Sequence, residues 1–242
     1  LDNQTASSSP ESPITRNASL LGFYTAISTT ILTIITLGIA FCTPPLSGPY
    51  CRGTPFEYPF LDIISRFPRD YYWMYPAILV SLLFVILIVC IHHYAPRDKK
   101  VFSQVALCFA VISASMLVMD YFVQISVIQP SLLNGETDGI SILSQYNPHG
   151  IFIALEELGY LMMGFAFLFA APVFSKTDKL EKAVRRIFIT GFILAIAALV
   201  IYSASYGIHR EYRFEVAVIT IDWMVLIVSS LVLSFVFKRQ VT

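Results

Sequence analysis

Apolar residues in this chain are gathered into long continuous runs, with the polar residues between them and none of the strict alternation of a half-buried strand. A hydrocarbon core is crossed by about 20 mainly apolar helical residues, and that length fits spans near 20–43, 72–95, 102–128, 149–174, 186–207 and 214–237. The pattern predicts an all-α fold: a polytopic membrane bundle of six transmembrane helices, in one domain over residues 20–242. Residues 1–19 are rich in Ser, Asn, Thr and Pro, carry no basic-then-apolar signal pattern, and read as a flexible tail. In the fourth span Gly164, Ala166, Ala170 and Ala171 offer a small-residue surface for close helix packing.

Composition agrees with the pattern. Of 242 residues, 56% are hydrophobic and 13% charged, and the mean hydropathy is +0.70. With a formal net charge of zero there is no basic surface for nucleic acid; the expected surroundings are a lipid bilayer. Lys and Arg cluster in the connections 96–101 and 175–185 and at the C-terminus, while 129–148 holds neither, so the positive-inside rule predicts a multi-pass cell-membrane protein with both termini cytoplasmic. Arg52, Arg66, Arg69, Arg210 and Arg213 are exceptions to that rule, and the sequons at Asn3 and Asn17 fall in the tail placed inside.

The first outer loop, 44–71, carries its own signals. Cys42 and Cys51 bracket a Pro- and Gly-rich turn on the expected oxidising side, so a disulfide is expected there, although two unpaired thiols fit the same spacing. Cys90 and Cys108 lie within spans and are expected to be free. Phe60, Ile63, Ile64 and Phe67 recur at helical spacing, with Asp62 and Arg66 four apart on another face, and predict a short interfacial helix. Tyr71, Tyr72, Trp73 and Tyr75 mark the water boundary of the second span.

Acidic residues inside the spans are the chemical signal. A carboxylate near the centre of a membrane helix costs roughly 2.5–3.5 kcal/mol and so faces a bundle interior, a polar cavity or a partner. Asp120 lies about eight residues before the outer end of the third span. Glu156 and Glu157 lie about eight after the outer start of the fourth, and Asp222 about eight after that of the sixth; at 1.5 Å per residue each is about 12 Å deep. His149, Glu156 and Tyr160 share one side of the fourth span, with Glu157 about 100° away. Ser113, Asp120 and Gln124 share a side of the third, and Glu215, Asp222 and Ser229 a side of the sixth. Asp120, Glu156 and Asp222 are therefore expected to converge on one outward-facing cavity, with Glu157, Tyr160, His149 and Gln124 beside them. No basic residue lies at that depth, the nearest being Arg210 and Arg213 at the outer mouth and Arg52, Arg66 and Arg69 on the first loop, so the acids must be protonated, capped from the mouth or matched by a bound cation; a cation or a small polar ligand is the expected partner. The bland alternative makes them interhelical hydrogen-bond partners of Gln124, Tyr160, Tyr202 and Ser203.

Histidine offers a metal reading. His149 and His209 near the outer mouth, with Asp120, Glu156 or Asp222, make an N/O set suited to a divalent metal, but no paired-histidine helix motif supports it. His92 and His93 fit a basic interfacial boundary better than a haem. There is no Gly-rich phosphate loop, and no cofactor is expected.

The run Cys90 to Ser103, centred on His92-His93-Tyr94-Ala95-Pro96-Arg97-Asp98-Lys99-Lys100 and followed by Ala106 to Ala110, resembles a segment of a family of uncharacterised bacterial multispanning membrane proteins. Ala154 to Tyr160, Leu168 to Phe174 and Leu180 to Arg186 resemble the same family, with Glu157 and Tyr160 departing from it. The resemblance implies a six-span integral membrane protein and carries over no catalytic residue. From the residues, a small transport, sensing or binding protein for protons or a cationic ligand is expected first. A structural or accessory subunit of a membrane complex comes second, and a metal-dependent membrane enzyme last.

Overall fold

The computed structural model describes residues 13–43, 45–51 and 53–241, and among them every regular element is helical. The long helices are α1 (Pro13–Cys42), α2 (Met74–Tyr94), α3 (Lys100–Val123), α6 (Ile151–Ala170), α7 (Lys179–Tyr206) and α8 (Glu211–Lys238). Short helices α4 (Gln129–Leu133) and α5 (Ile140–Leu143) lie between α3 and α6. A π-helical turn, Gln124–Ile128, joins α3 to α4 without a break, which makes one segment from Arg97 to Leu133. Six segments are long and apolar enough to cross a membrane. Helices solve the bilayer problem because every backbone N–H and C=O is met within the segment. Each segment lies over one of the six predicted runs.

The boundaries differ where side chains set them. α1 begins at Pro13 rather than near residue 20, so residues 13–19, read from composition as flexible, are helical. Residues 1–12, with the Asn3 sequon, and Arg52 lie outside the described residues. Asp178 caps α7, accepting from the Leu180 and Glu181 N–H groups at 3.0 Å, which starts that helix before residue 186. The short helix of the first loop is a 3-10 turn, Leu61–Arg66, with Ile63 buried. Its Arg66 reaches forward to Asp70 at 2.9 Å rather than back to Asp62.

Consecutive long helices pack side by side in a ring, α1–α2–α3–α6–α7–α8 and back to α1, and a further contact between α6 and α8 cuts across it. α6 thus touches α3, α7 and α8. α3 packs closely on α6 at Gly159, where a Cβ would stand 2.7 Å from Leu117 Cδ2; at Gly164 a Cβ would make only ordinary contact, 3.8 Å from Phe192 of α7. Near the chain ends α1 and α8 close on one another, Gly22 packing on the Phe237 ring. There Tyr94 Oη donates to Glu181 Oε1 at 2.8 Å and the Ser175 N–H to Glu181 Oε2 at 2.6 Å. The buried Thr25-Thr29-Thr30-Thr33-Thr36 face of α1 is locally satisfied: Thr29, Thr30, Thr33 and Thr36 each donate to the carbonyl four residues back.

Candidate ligand-binding site

At the opposite end of the bundle two loops fold over the helices. Asp70, 1% exposed, takes Arg66 at 2.9 Å and Arg69 at 2.7 Å, and accepts from Tyr146 Oη at 3.1 Å. Burial chiefly, with Tyr71 and Asp70 beside it, holds the Tyr146 phenol well above its ordinary value, so it remains a donor to Asp70. Gln124 uses both halves of its amide on the second loop, donating to the Leu143 carbonyl at 2.6 Å and accepting from the Gln145 N–H at 3.2 Å. Tyr212 of α8 ties in the first loop: its hydroxyl lies 2.6 Å from Ser47 Oγ and 3.0 Å from the Gln145 carbonyl. Gly48 makes that seat possible, with φ +68° and no Cβ, which would fall 2.1 Å from the Tyr212 ring.

Beneath this cover lies a cavity of about 260 Å³, walled by α1, α6, α8 and the first loop. Trp73, Tyr146, Phe152, Tyr212 and Trp223 supply aromatic walls, and Glu156 and Glu215 bring the carboxyls. The two carboxyls are close enough to hydrogen-bond to one another across the α6–α8 contact. Both residues are buried, at 1% and 7% exposure, and no donor reaches Glu156 Oε2 or Glu215 Oε2. Among the described residues, no Lys or Arg lines the cavity.

One carboxyl oxygen has a donor with a fixed direction. Trp223 Nε1 donates to Tyr160 Oη at 2.9 Å, Tyr160 and Tyr121 hydroxyls are 2.9 Å apart, and Tyr121 donates to Glu156 Oε1 at 2.6 Å. Indole is a donor only, and the Tyr121 proton is committed to Glu156, so the Tyr160 proton goes to Tyr121. Glu156 therefore sits at the end of a one-way chain of donors running through α8, α6 and α3. Trp73 packs edge-on to both Tyr121 and Trp223, at 5.1 and 6.4 Å between centroids, and holds the chain in place. The π turn begins three residues after Tyr121, and such turns recur at functional sites.

Of the residues expected to share the site, Glu156 alone lines the cavity. Asp120 lies close enough to interact electrostatically with Glu156 and Glu215, but behind them, with its Oδ2 buried and unmet. Asp222 does not join the pair: α8 starts at Glu211, so Asp222 lies about six residues, or roughly 9 Å, deeper than Glu156 does in α6. It is fully buried, with both oxygens unmet, on the Tyr160 side. The acid that meets Glu156 is Glu215, whose shared face with Asp222 was the available signal. Glu157 is turned to the mouth and pairs with Arg210 at 2.6 Å. Tyr160 is a link in the donor chain, and Gln124 anchors a loop. His149 is exposed, its ring 6.2 Å from that of His209. Among the described residues, no three His, Cys, Asp or Glu side chains form a metal-holding group. Nor are Cys42 and Cys51 joined: Cys42 ends α1 exposed, and Cys51 Sγ turns to the Gly53 carbonyl at 3.9 Å.

No family model, curated protein or solved structure matches the chain.

Proposed function

We propose that this six-span protein binds a cationic ligand at the Glu156–Glu215 pair and exchanges it for a proton held between the carboxyls. The observation that carries this is the pair itself: two buried carboxyls lining one cavity, each with an oxygen that no donor meets, and no basic residue in the described lining. A carboxylate is an acceptor only, so two within hydrogen-bonding reach need a proton or a cation between them. Tryptophan and tyrosine rings also line the cavity, and a cation seated over such a ring gains a further ~0.5–1 kcal/mol at an exposed site and about 2 kcal/mol when desolvated. We further propose that both termini are cytoplasmic and that the cavity opens outward, because the basic connections 96–101 and 175–185 lie at the other end. A purely structural role is favoured only for Glu157, which has Arg210 as its counter-ion.

Trp73 and Trp223 are the only tryptophans in the chain and both line the cavity, so intrinsic fluorescence reports on it directly. Titration of the protein in lipid nanodiscs with tetramethylammonium is expected to give a saturable fluorescence change. Proton release into weak buffer should accompany it, and Glu156→Gln and Glu215→Gln should each abolish both signals. No saturable change in the parent protein, or equal binding by both variants, contradicts the reading.

A further inference from the structure

We propose that the ligand is an amphiphilic ammonium, with a cationic head that sits at the carboxyl pair and a hydrocarbon tail that leaves sideways between α1 and α8 into the bilayer. This rests on the cation reading above and adds the chemical class and the route. α1 and α8 are in contact at Gly22 and Phe237, and further along both line the cavity. Its lining there includes Leu37 and Phe41 of α1 with Val216, Ile219 and Thr220 of α8. Phe41 is 77% and Val216 44% exposed, and Val216 and Thr220 lie within a membrane-spanning segment. The rim therefore reaches the surface that faces lipid, and it is almost wholly apolar. The rest of the lining includes the aromatic rings and the two carboxyls.

Size and charge narrow the class. At about 260 Å³ the cavity is smaller than the roughly 300–1,000 Å³ of sites that enclose a whole drug-sized molecule. It holds a head group and the first methylenes, and the rest of a long chain must lie outside. A phosphate beside the ammonium finds no basic partner among the described lining residues, so a simple long-chain amine fits and a zwitterionic phospholipid head does not.

The test compares four probes in phosphatidylcholine nanodiscs by tryptophan fluorescence: decyltrimethylammonium, tetramethylammonium, decylphosphocholine and decanol, each below its micelle concentration. Decyltrimethylammonium is expected to bind at least about tenfold tighter than tetramethylammonium, the effect of burying two methylenes. Decanol and decylphosphocholine should give no saturable signal. Thr220→Phe, at an exposed rim position, is expected to shrink the ratio between the two ammonium probes. If tetramethylammonium binds as tightly as its tailed counterpart and the ratio does not respond to Thr220→Phe, the sideways route is wrong while the cation reading stands. If decylphosphocholine competes equally, the ligand is a phospholipid-type head and the amine class is wrong. If neither ammonium binds, both readings fall together.

Discussion

The hydroxyl of Tyr160 has a defined place in the donor chain: it accepts from Trp223 Nε1 at 2.9 Å and passes its own proton towards Tyr121, which donates to Glu156. Removing it leaves a buried indole N–H without an acceptor. Tyr160→Phe is therefore expected to destabilise the folded protein by about 1–2 kcal/mol. That exceeds the ~0.6 kcal/mol typical of one membrane hydrogen bond because an unmet buried donor carries its desolvation cost. Thermal unfolding in detergent checks the number; no shift in midpoint would mean that water or another group takes the acceptor's place. Sequence pattern picked out Glu156 and Tyr160 because they lie on one helix side, but the partners it offered, Gln124, Tyr202 and Ser203, are not the Tyr121 and Trp223 that they meet. Glu215 was the harder residue. Only a turn inside the true start of α8, it reads as an interfacial acid when the span is drawn from residue 214. Glu157, adjacent in sequence, serves another end, since 100° of helix rotation carries it to Arg210.

At the scale of elements, the site depends on how closely α3 approaches α6, since Tyr121 comes from one and Glu156 and Tyr160 from the other. Gly159 sets that distance against Leu117, itself fully buried. Gly159→Ala places a methyl 2.7 Å from Leu117 Cδ2, an overpacking expected to cost about 1–3 kcal/mol. Leu117→Ala introduced with it should recover part of that loss, a coupling that a double-mutant cycle measures directly. Additive effects would mean that the helices are held apart by something else. The six spans themselves were legible because uninterrupted apolar length is a strong signal. The helix over residues 13–19 was not, since Ser, Asn and Thr in that stretch carry low intrinsic propensity. Nor was the π turn at Gln124–Ile128, which leaves no mark on hydropathy. The expected Cys42–Cys51 bond failed for a similar reason: nine positions of sequence separation say nothing about where the end of α1 points.

For the molecule as a whole, hydropathy gave the number of long helices but not the ring order, because a polar side shows which way a span turns inward and not which neighbour it meets. That order decides the chemistry. The extra contact between α6 and α8 is what brings two carboxyls to one cavity, and α1 and α8 together supply its apolar lining. Counted from 149 and 214, Glu156 and Asp222 come out level; counted from the helix starts at Ile151 and Glu211, Glu156 and Glu215 each lie about one turn in, and Asp222 lies deeper. The central claim is that Glu156 and Glu215 hold one proton between them and surrender it to a cation. Difference infrared spectroscopy of the protein in nanodiscs, with and without tetramethylammonium, observes the protonated carboxyl itself. The account predicts loss of a protonated-carboxyl stretch on adding the cation, a loss absent from both Glu156→Gln and Glu215→Gln. A carboxyl region that does not respond to the cation, or a response that survives in both variants, would contradict it.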